Sequence, residues 1–300
     1  MNVSTQRTNP YRPSATQRKP PVQAVKKACP LILLLIACQL AFAQNFSLPH
    51  AYAHNDYWHK RPLFDALENG FTHVEADVYL RRARLVVSHN PPIFRKKRTI
   101  EDLYFRPILE RYIVADAEGI ACHDTVVLMI DFKSRGNRTL NALNKIIAQY
   151  KPLLSSWDSG KLVVRNLTLV VTGHRPISRL EAQATRYLFV DADLKKINRI
   201  NPQPEAADLF MTASCRYSSL MTWKGKGRIP ALEQNRLIAL VDQAHARGAK
   251  VRLWGSPDKK LVWDFLINCG VDLINTDKLV ALRDYFMHSR ELIPPGGQSL

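Results

Sequence analysis

From residue 44 onward, short runs rich in β-branched and aromatic residues alternate with stretches of helical periodicity, and this alternation constrains the fold more than any other feature. The strand-like runs are Ala51–His54, His73–Leu80, Leu85–Ser88, Val126–Phe132, Leu167–Thr172, Tyr187–Val190, the vicinity of Asp208–Ala213, Val251–Trp254 and Leu273–Asn275. Helical patterns fill Pro62–Asn69, Thr99–Arg111, Leu140–Tyr150, Ala231–Arg247, Lys259–Asn268 and Lys278–His288. A strand–helix–strand rhythm calls for parallel strands joined by crossovers. With one run taken as a hairpin partner, eight strands remain, which predicts an α/β chain folded as a single-domain (β/α)₈ TIM barrel over residues 44–300, close to the usual size of about 250 residues. Gly70, Gly248 and Gly270 each follow a helical stretch, where a left-handed stop is expected.

The first 30 residues carry Arg7, Arg12, Arg18, Lys19, Lys26 and Lys27 and no acid. An apolar run over 31–43 follows, too short to cross a bilayer, which needs roughly 20 residues, and it ends in Ala41-Phe42-Ala43. That order predicts a signal peptide over 1–43 behind a basic extension, hence a secreted or periplasmic protein. Leu35-Ile36-Ala37-Cys38 offers lipid anchoring through Cys38 as the alternative. The leader holds six of the 17 net positive charges, so +11 remains on the rest. A surface of that sign suits anionic partners, including a membrane surface. No basic run with interleaved aromatics marks a nucleic-acid groove, and no obligate protein partner is evident. Cys122, Cys215 and Cys269, the three cysteines beyond residue 43, are odd in number and widely spaced, so no disulfide framework is implied.

Barrel chemistry sits at the C-terminal ends of the strands, so polar residues there carry the functional signal. The first strand ends in His54-Asn55-Asp56. In Val74-Glu75-Ala76-Asp77-Val78 the two acids are two apart and share a face. Burying like charges together is costly, so a cation is expected between them, and oxygen ligands suit Mg²⁺ or Ca²⁺. Asp131 offers a third carboxylate, with Lys133 on the same face to hold a phosphate oxygen or offset surplus charge. His89 closes another strand-like run. Two histidines beside a metal-bound phosphate supply a general base and a general acid. Asp191, Asp193, His174 and Asp277 are further rim candidates, Asp277 also being placed to cap the last helix.

Ala53-His54-Asn55-Asp56, Glu75-Ala76-Asp77, Ser88-His89 and Ile130-Asp131-Phe132-Lys133 resemble the glycerophosphodiester phosphodiesterase and phosphatidylinositol-specific phospholipase C superfamily. The branch similar to altered inheritance of mitochondria protein 6 matches most broadly, through Tyr57, Pro62-Leu63, Thr99-Ile100 and Thr172-Gly173 with Arg175-Pro176. The resemblance implies a barrel phosphodiesterase with His54 and His89 as catalytic acid and base. It further implies Glu75, Asp77 and Asp131 around one divalent cation; the substrate expected is a small or phospholipid-derived phosphodiester, which the resemblance does not itself fix. Glycerophosphodiesterases usually carry Arg after the first histidine and Glu at the third acid, where this chain has Asn55 and Asp131. The Asp-x-Lys form with Trp254 is closer to sphingomyelinase D-like phospholipases. Asn55, Lys133, Arg175 and Trp254 are therefore the expected substrate contacts, Arg175 supplying the missing phosphate grip. A non-catalytic binder of phosphorylated headgroups is the competing class, but it leaves a paired acid and base without purpose.

Overall fold

The alternation of strand and helix closes into a barrel. The computed structural model describes residues 46–92, 98–117, 125–200 and 209–291, and the part of the chain from Asn45 onward forms one compact unit. In chain order the strands are β1 (Leu48–Ala53), β2 (Phe71–Arg81), β3 (Arg84–Val87), β4 (Val126–Phe132), β5 (Ser156–Asp158), β6 (Lys161–Val163), β7 (Leu167–Gly173), β8 (Thr185–Arg186), β9 (Leu188–Asp193), β10 (Phe210–Arg216), β11 (Lys250–Trp254) and β12 (Ile274–Thr276). Eight run parallel in the order β1, β2, β4, β7, β9, β10, β11, β12, and β12 pairs back onto β1. The seam between β11 and β12 is thin: Arg252 bridges Leu273, and the Asp272 and Leu273 amides donate to the Val251 carbonyl at 3.1 and 3.0 Å.

Two apolar cores result. The larger lies between strands and helices. Leu237, Val241 and Ala244 of the helix Ala231–His245 are buried, as are Leu140, Leu143 and Ile147 of the helix Gly136–Tyr150, at the spacing of one helix face. The smaller fills the barrel interior with Tyr52, Met129, Val170, Phe189 and Leu273. Above that plug the inward positions turn polar, which is where a barrel places its chemistry.

The sequence left open which run is the hairpin partner; it is β3, which pairs antiparallel with β2. Its two-residue turn places Arg82 and Ala83 at φ 46° and 63°, the left-handed pair such a turn requires, without the usual Gly or Asn. Beyond β3 the Ser88 amide donates to the Asp77 carbonyl at 3.0 Å, which brings His89 to the rim.

Two features depart from the sequence reading. A small sheet of β6, β5 and β8 was not anticipated, because strands of two or three residues leave no periodicity to read. The helix expected over Thr99–Arg111 is a wide π turn, Glu101–Phe105, leading into a helix Arg106–Ala117. Pro107 has no N–H to give Leu103, so the regular ladder cannot run through it. Cys215 and Cys269 are buried free thiols. Cys122 and the leader over 1–43 lie outside the described residues.

Candidate active site

All nine residues singled out as catalytic, metal-binding or substrate-binding line one cleft of about 470 Å³ at the C-terminal ends of the strands. Parallel pairing of β2 with β4 sets Asp77 directly beside Asp131. One carboxylate oxygen each from Glu75, Asp77 and Asp131 lies within 4.8 Å of the others.

The protein supplies part of the compensation for this charge itself. The Arg252 guanidinium donates to Glu75 Oε2 at 2.8 Å, and both residues are buried. Burial would raise the Glu75 pKa, but the charges of Arg252, His54 and Lys133 together with the Arg252 hydrogen bond outweigh it and hold the carboxyl below its ordinary range. Lys133 Nζ lies 2.6 Å from Asp131 Oδ2 and 3.2 Å from Asp77 Oδ2. Three carboxylates thus face two cations, leaving one negative charge. Asp77 remains the strained member, its pKa raised by burial and then by the Glu75 charge. Its Oδ1 is buried without a hydrogen-bond partner. The expectation that the paired acids need a metal is amended accordingly: Arg252 and Lys133 meet most of that demand.

Each histidine is held by a carboxylate. His54, just beyond β1, has Nδ1 2.8 Å from Asp277 Oδ1. Burial pushes its pKa down, but the bond to Asp277 and the charges of Glu75 and Asp277 outweigh that and leave it raised. His89 has Nδ1 2.9 Å from Asp77 Oδ2, and its ring stands edge-on to Trp58 at 5.3 Å. If each carboxylate accepts the Nδ1 proton, each Nε2 is the ring nitrogen left for chemistry.

Asn55 occupies the left-handed region at φ 47°, a conformation that Asn tolerates better than most residues. Its Nδ2 lies 3.1 and 3.3 Å from the two ring nitrogens of His54, and its Oδ1 accepts from the Tyr57 hydroxyl at 2.7 Å. The buried Asn55 amide therefore braces His54 as well as lining the cleft. Arg175 also lines the cleft, one Nη donating to the Gly173 carbonyl at 3.1 Å while Nε is buried without a partner. Trp254 is partly exposed, with the Arg216 guanidinium 5.6 Å from its ring centroid.

Sequence reasoning missed Arg252 and Tyr57. The Tyr57 hydroxyl lies 2.7 to 3.3 Å from Asn55, Asp77 and His89 and ties them together. The signal for Arg252 was present: it interrupts an apolar strand two residues before Trp254, so it shares Trp254's inward face. Asp191, a rim candidate, is buried and accepts hydroxyls from Thr172, Thr212 and Ser214 at 3.0, 2.7 and 2.7 Å. Asp277 serves His54. His174 is exposed and does not line the cleft.

Gly173 permits the acids to assemble. At φ 68° a Cβ there would lie 2.1 Å from Asp131 Oδ1 and 2.7 Å from the Phe132 carbonyl. Gly173→Ala is expected to cost about 1–3 kcal/mol of stability and to displace the Asp131 carboxylate. Chemical denaturation checks it; an unchanged midpoint would show that the close approach is dispensable.

A family model for the AIM6-like phosphodiesterase domain matches residues 41–191. Altered inheritance of mitochondria protein 6 from Eremothecium gossypii is 30% identical over 79% of this chain and 69% of its own length. The proteins of that name from Lachancea thermotolerans and Saccharomyces cerevisiae are 29% and 28% identical, over 77% and 76% of this chain and 64% and 68% of their own lengths. Phosphatidylinositol-specific phospholipase C from Listeria monocytogenes superposes with a TM-score of 0.35 at 12% identity, over 75% of this chain and 94% of that one. The relatives, yeast proteins named for mitochondrial inheritance, point to an intracellular protein. That finding overturns the expectation of a secreted, periplasmic or Cys38-anchored protein. A basic, acid-free stretch is shared by secretory and organellar leaders, so composition had no power to separate them.

Proposed function

Because the chain belongs to the AIM6-like phosphodiesterase domain family, we propose that its barrel cleaves a small or phospholipid-derived phosphodiester by paired histidine acid–base catalysis, assisted by one divalent cation. The observation that carries this reading is the matched pair: His54 on Asp277 and His89 on Asp77, at 2.8 and 2.9 Å, both lining one cleft. His54, made more basic by Asp277, takes the proton from the attacking oxygen of water or of a substrate hydroxyl. His89, the more exposed ring, returns a proton to the leaving oxygen. Lys133 and the Asn55 amide position the diester, Arg175 meets another part of the substrate, and Trp254 offers an apolar surface beside it.

The acid cluster fits a hard cation. Its donors are all carboxylate oxygens, one net negative charge is left over, and the orphaned Asp77 Oδ1 has no other partner. Glu75, Asp77 and Asp131 would hold Mg²⁺ or Ca²⁺, which neutralises charge on the phosphoryl group when bound. The test is turnover of a broad phosphodiester panel by metal-stripped protein, with and without restored Mg²⁺, Ca²⁺ or Mn²⁺.

A pH prediction follows from His54. As the base it must lose its proton before turnover, and Asp277 delays that loss by stabilising the imidazolium. Asp277→Asn is therefore expected to move the acidic limb of kcat/KM to lower pH while lowering the plateau. A pH–rate profile checks both; a limb that stays in place or moves upward would remove Asp277 from this role.

A further inference from the structure

The rim of the cleft is electrically divided. Its β1, β2 and β4 portion carries His54, Glu75, Asp77 and Asp131, with Asp277 bonded to His54, and the one lysine there, Lys133, is held by two carboxylates. The ends of β7, β9 and β10, consecutive in the barrel, carry Arg175, Lys195 and Arg216 instead. Among the described residues none of these three cations has a carboxylate partner.

The acids on that side are already engaged. Asp191 accepts three hydroxyls, as described above. Asp193 accepts from the Lys195 amide at 3.1 Å and pairs with Lys196 at 3.7 Å. Among the described residues Arg175 keeps a buried Nε with no hydrogen-bond partner, and the Arg216 guanidinium lies 5.6 Å from the Trp254 ring centroid. Three cations against the two carboxylates of Asp191 and Asp193 leave this side of the cleft with a surplus of positive charge, which an anion relieves. The scissile phosphate, as proposed, lies between His54 and His89 on the other portion of the rim.

We infer that the substrate carries a second anionic group, a phosphomonoester at the end of one arm of the diester, bound by Arg175, Lys195 and Arg216. A phosphomonoester suits them because it brings close to two negative charges and three acceptor oxygens, which two planar guanidinium groups and an ammonium match. The inference rests on the phosphodiesterase reading for the word substrate, but the anion site itself does not.

The experiment uses two water-soluble aryl diesters, alike except that the alkyl arm ends in a hydroxyl in one and a phosphomonoester in the other. The wild-type protein is expected to favour the phosphorylated one by about tenfold or more in kcat/KM, mainly through KM. In Lys195→Gln/Arg216→Gln, whose exposed side chains make a folding defect easy to exclude by circular dichroism, the ratio should fall to near one. Equal kcat/KM values in the wild type, or a preference that survives in the variant, would overturn the inference.

If neither diester is cleaved, the phosphodiesterase reading fails and calorimetry with inorganic phosphate decides the anion site separately. Phosphate binding weakened about tenfold by Lys195→Gln/Arg216→Gln, but retained in His54→Ala/His89→Ala, would support it. Absent binding, or equal binding in all three proteins, would sink it.

Discussion

Changing both His54 and His89 to alanine is expected to remove phosphodiester turnover, by about 10⁴-fold or more, because each proton transfer contributes on the order of 10² to 10⁴. The fold and the metal affinity should survive. Both side chains reach into the cleft from the ends of β1 and β3, and neither belongs to the apolar cores. Loss of His89 frees one partner of Asp77, while Tyr57 and Lys133 remain on that carboxylate. Activity within tenfold of the wild type in the double variant would take both residues out of the mechanism.

The second large effect is on stability. Arg252→Met is expected to cost about 3–5 kcal/mol, since it leaves Glu75 buried beside Asp77 and Asp131 with its cation gone. Arg252 also donates to Ser214 at 3.2 Å and to Asn275 at 3.2 Å and stacks on Tyr52 at 4.2 Å, so its removal strips the floor of the cleft. Glu75→Gln/Arg252→Met should recover much of the loss by removing the stranded charge. Urea denaturation of the two variants checks the pair. Equal destabilisation in both would show that packing, and not charge compensation, is what Arg252 contributes.

These two expectations separate what the sequence disclosed from what it concealed. All eight barrel strands and the presence of one hairpin partner were legible because buried strands leave contiguous β-rich runs, and Gly70, Gly248 and Gly270 marked real left-handed helix stops. The site was legible through position: acids and imidazoles at strand ends converge in any barrel. Compensation was harder to read. The same-face rule gave Glu75 with Asp77 but said nothing of which cation answers them, because Arg252 is 177 residues away from Glu75 in the chain. Asp277 was read as a rim candidate or helix cap with no partner named, for the same reason, since His54 lies 223 residues earlier. Contacts of such range come from barrel closure, which periodicity does not encode. Location was misread from the basic stretch, apolar run and Ala41-Phe42-Ala43 of the first 43 residues.

Metal-stripped wild-type protein assayed on a water-soluble aryl phosphodiester tests the central claim most directly. The account predicts no turnover until Mg²⁺, Ca²⁺ or Mn²⁺ is restored, then release of the aryl alcohol at a rate that His54→Ala/His89→Ala abolishes. A protein that binds the diester yet releases no product with any of the three ions, across the wider panel as well, would contradict it and leave a binder on a phosphodiesterase scaffold.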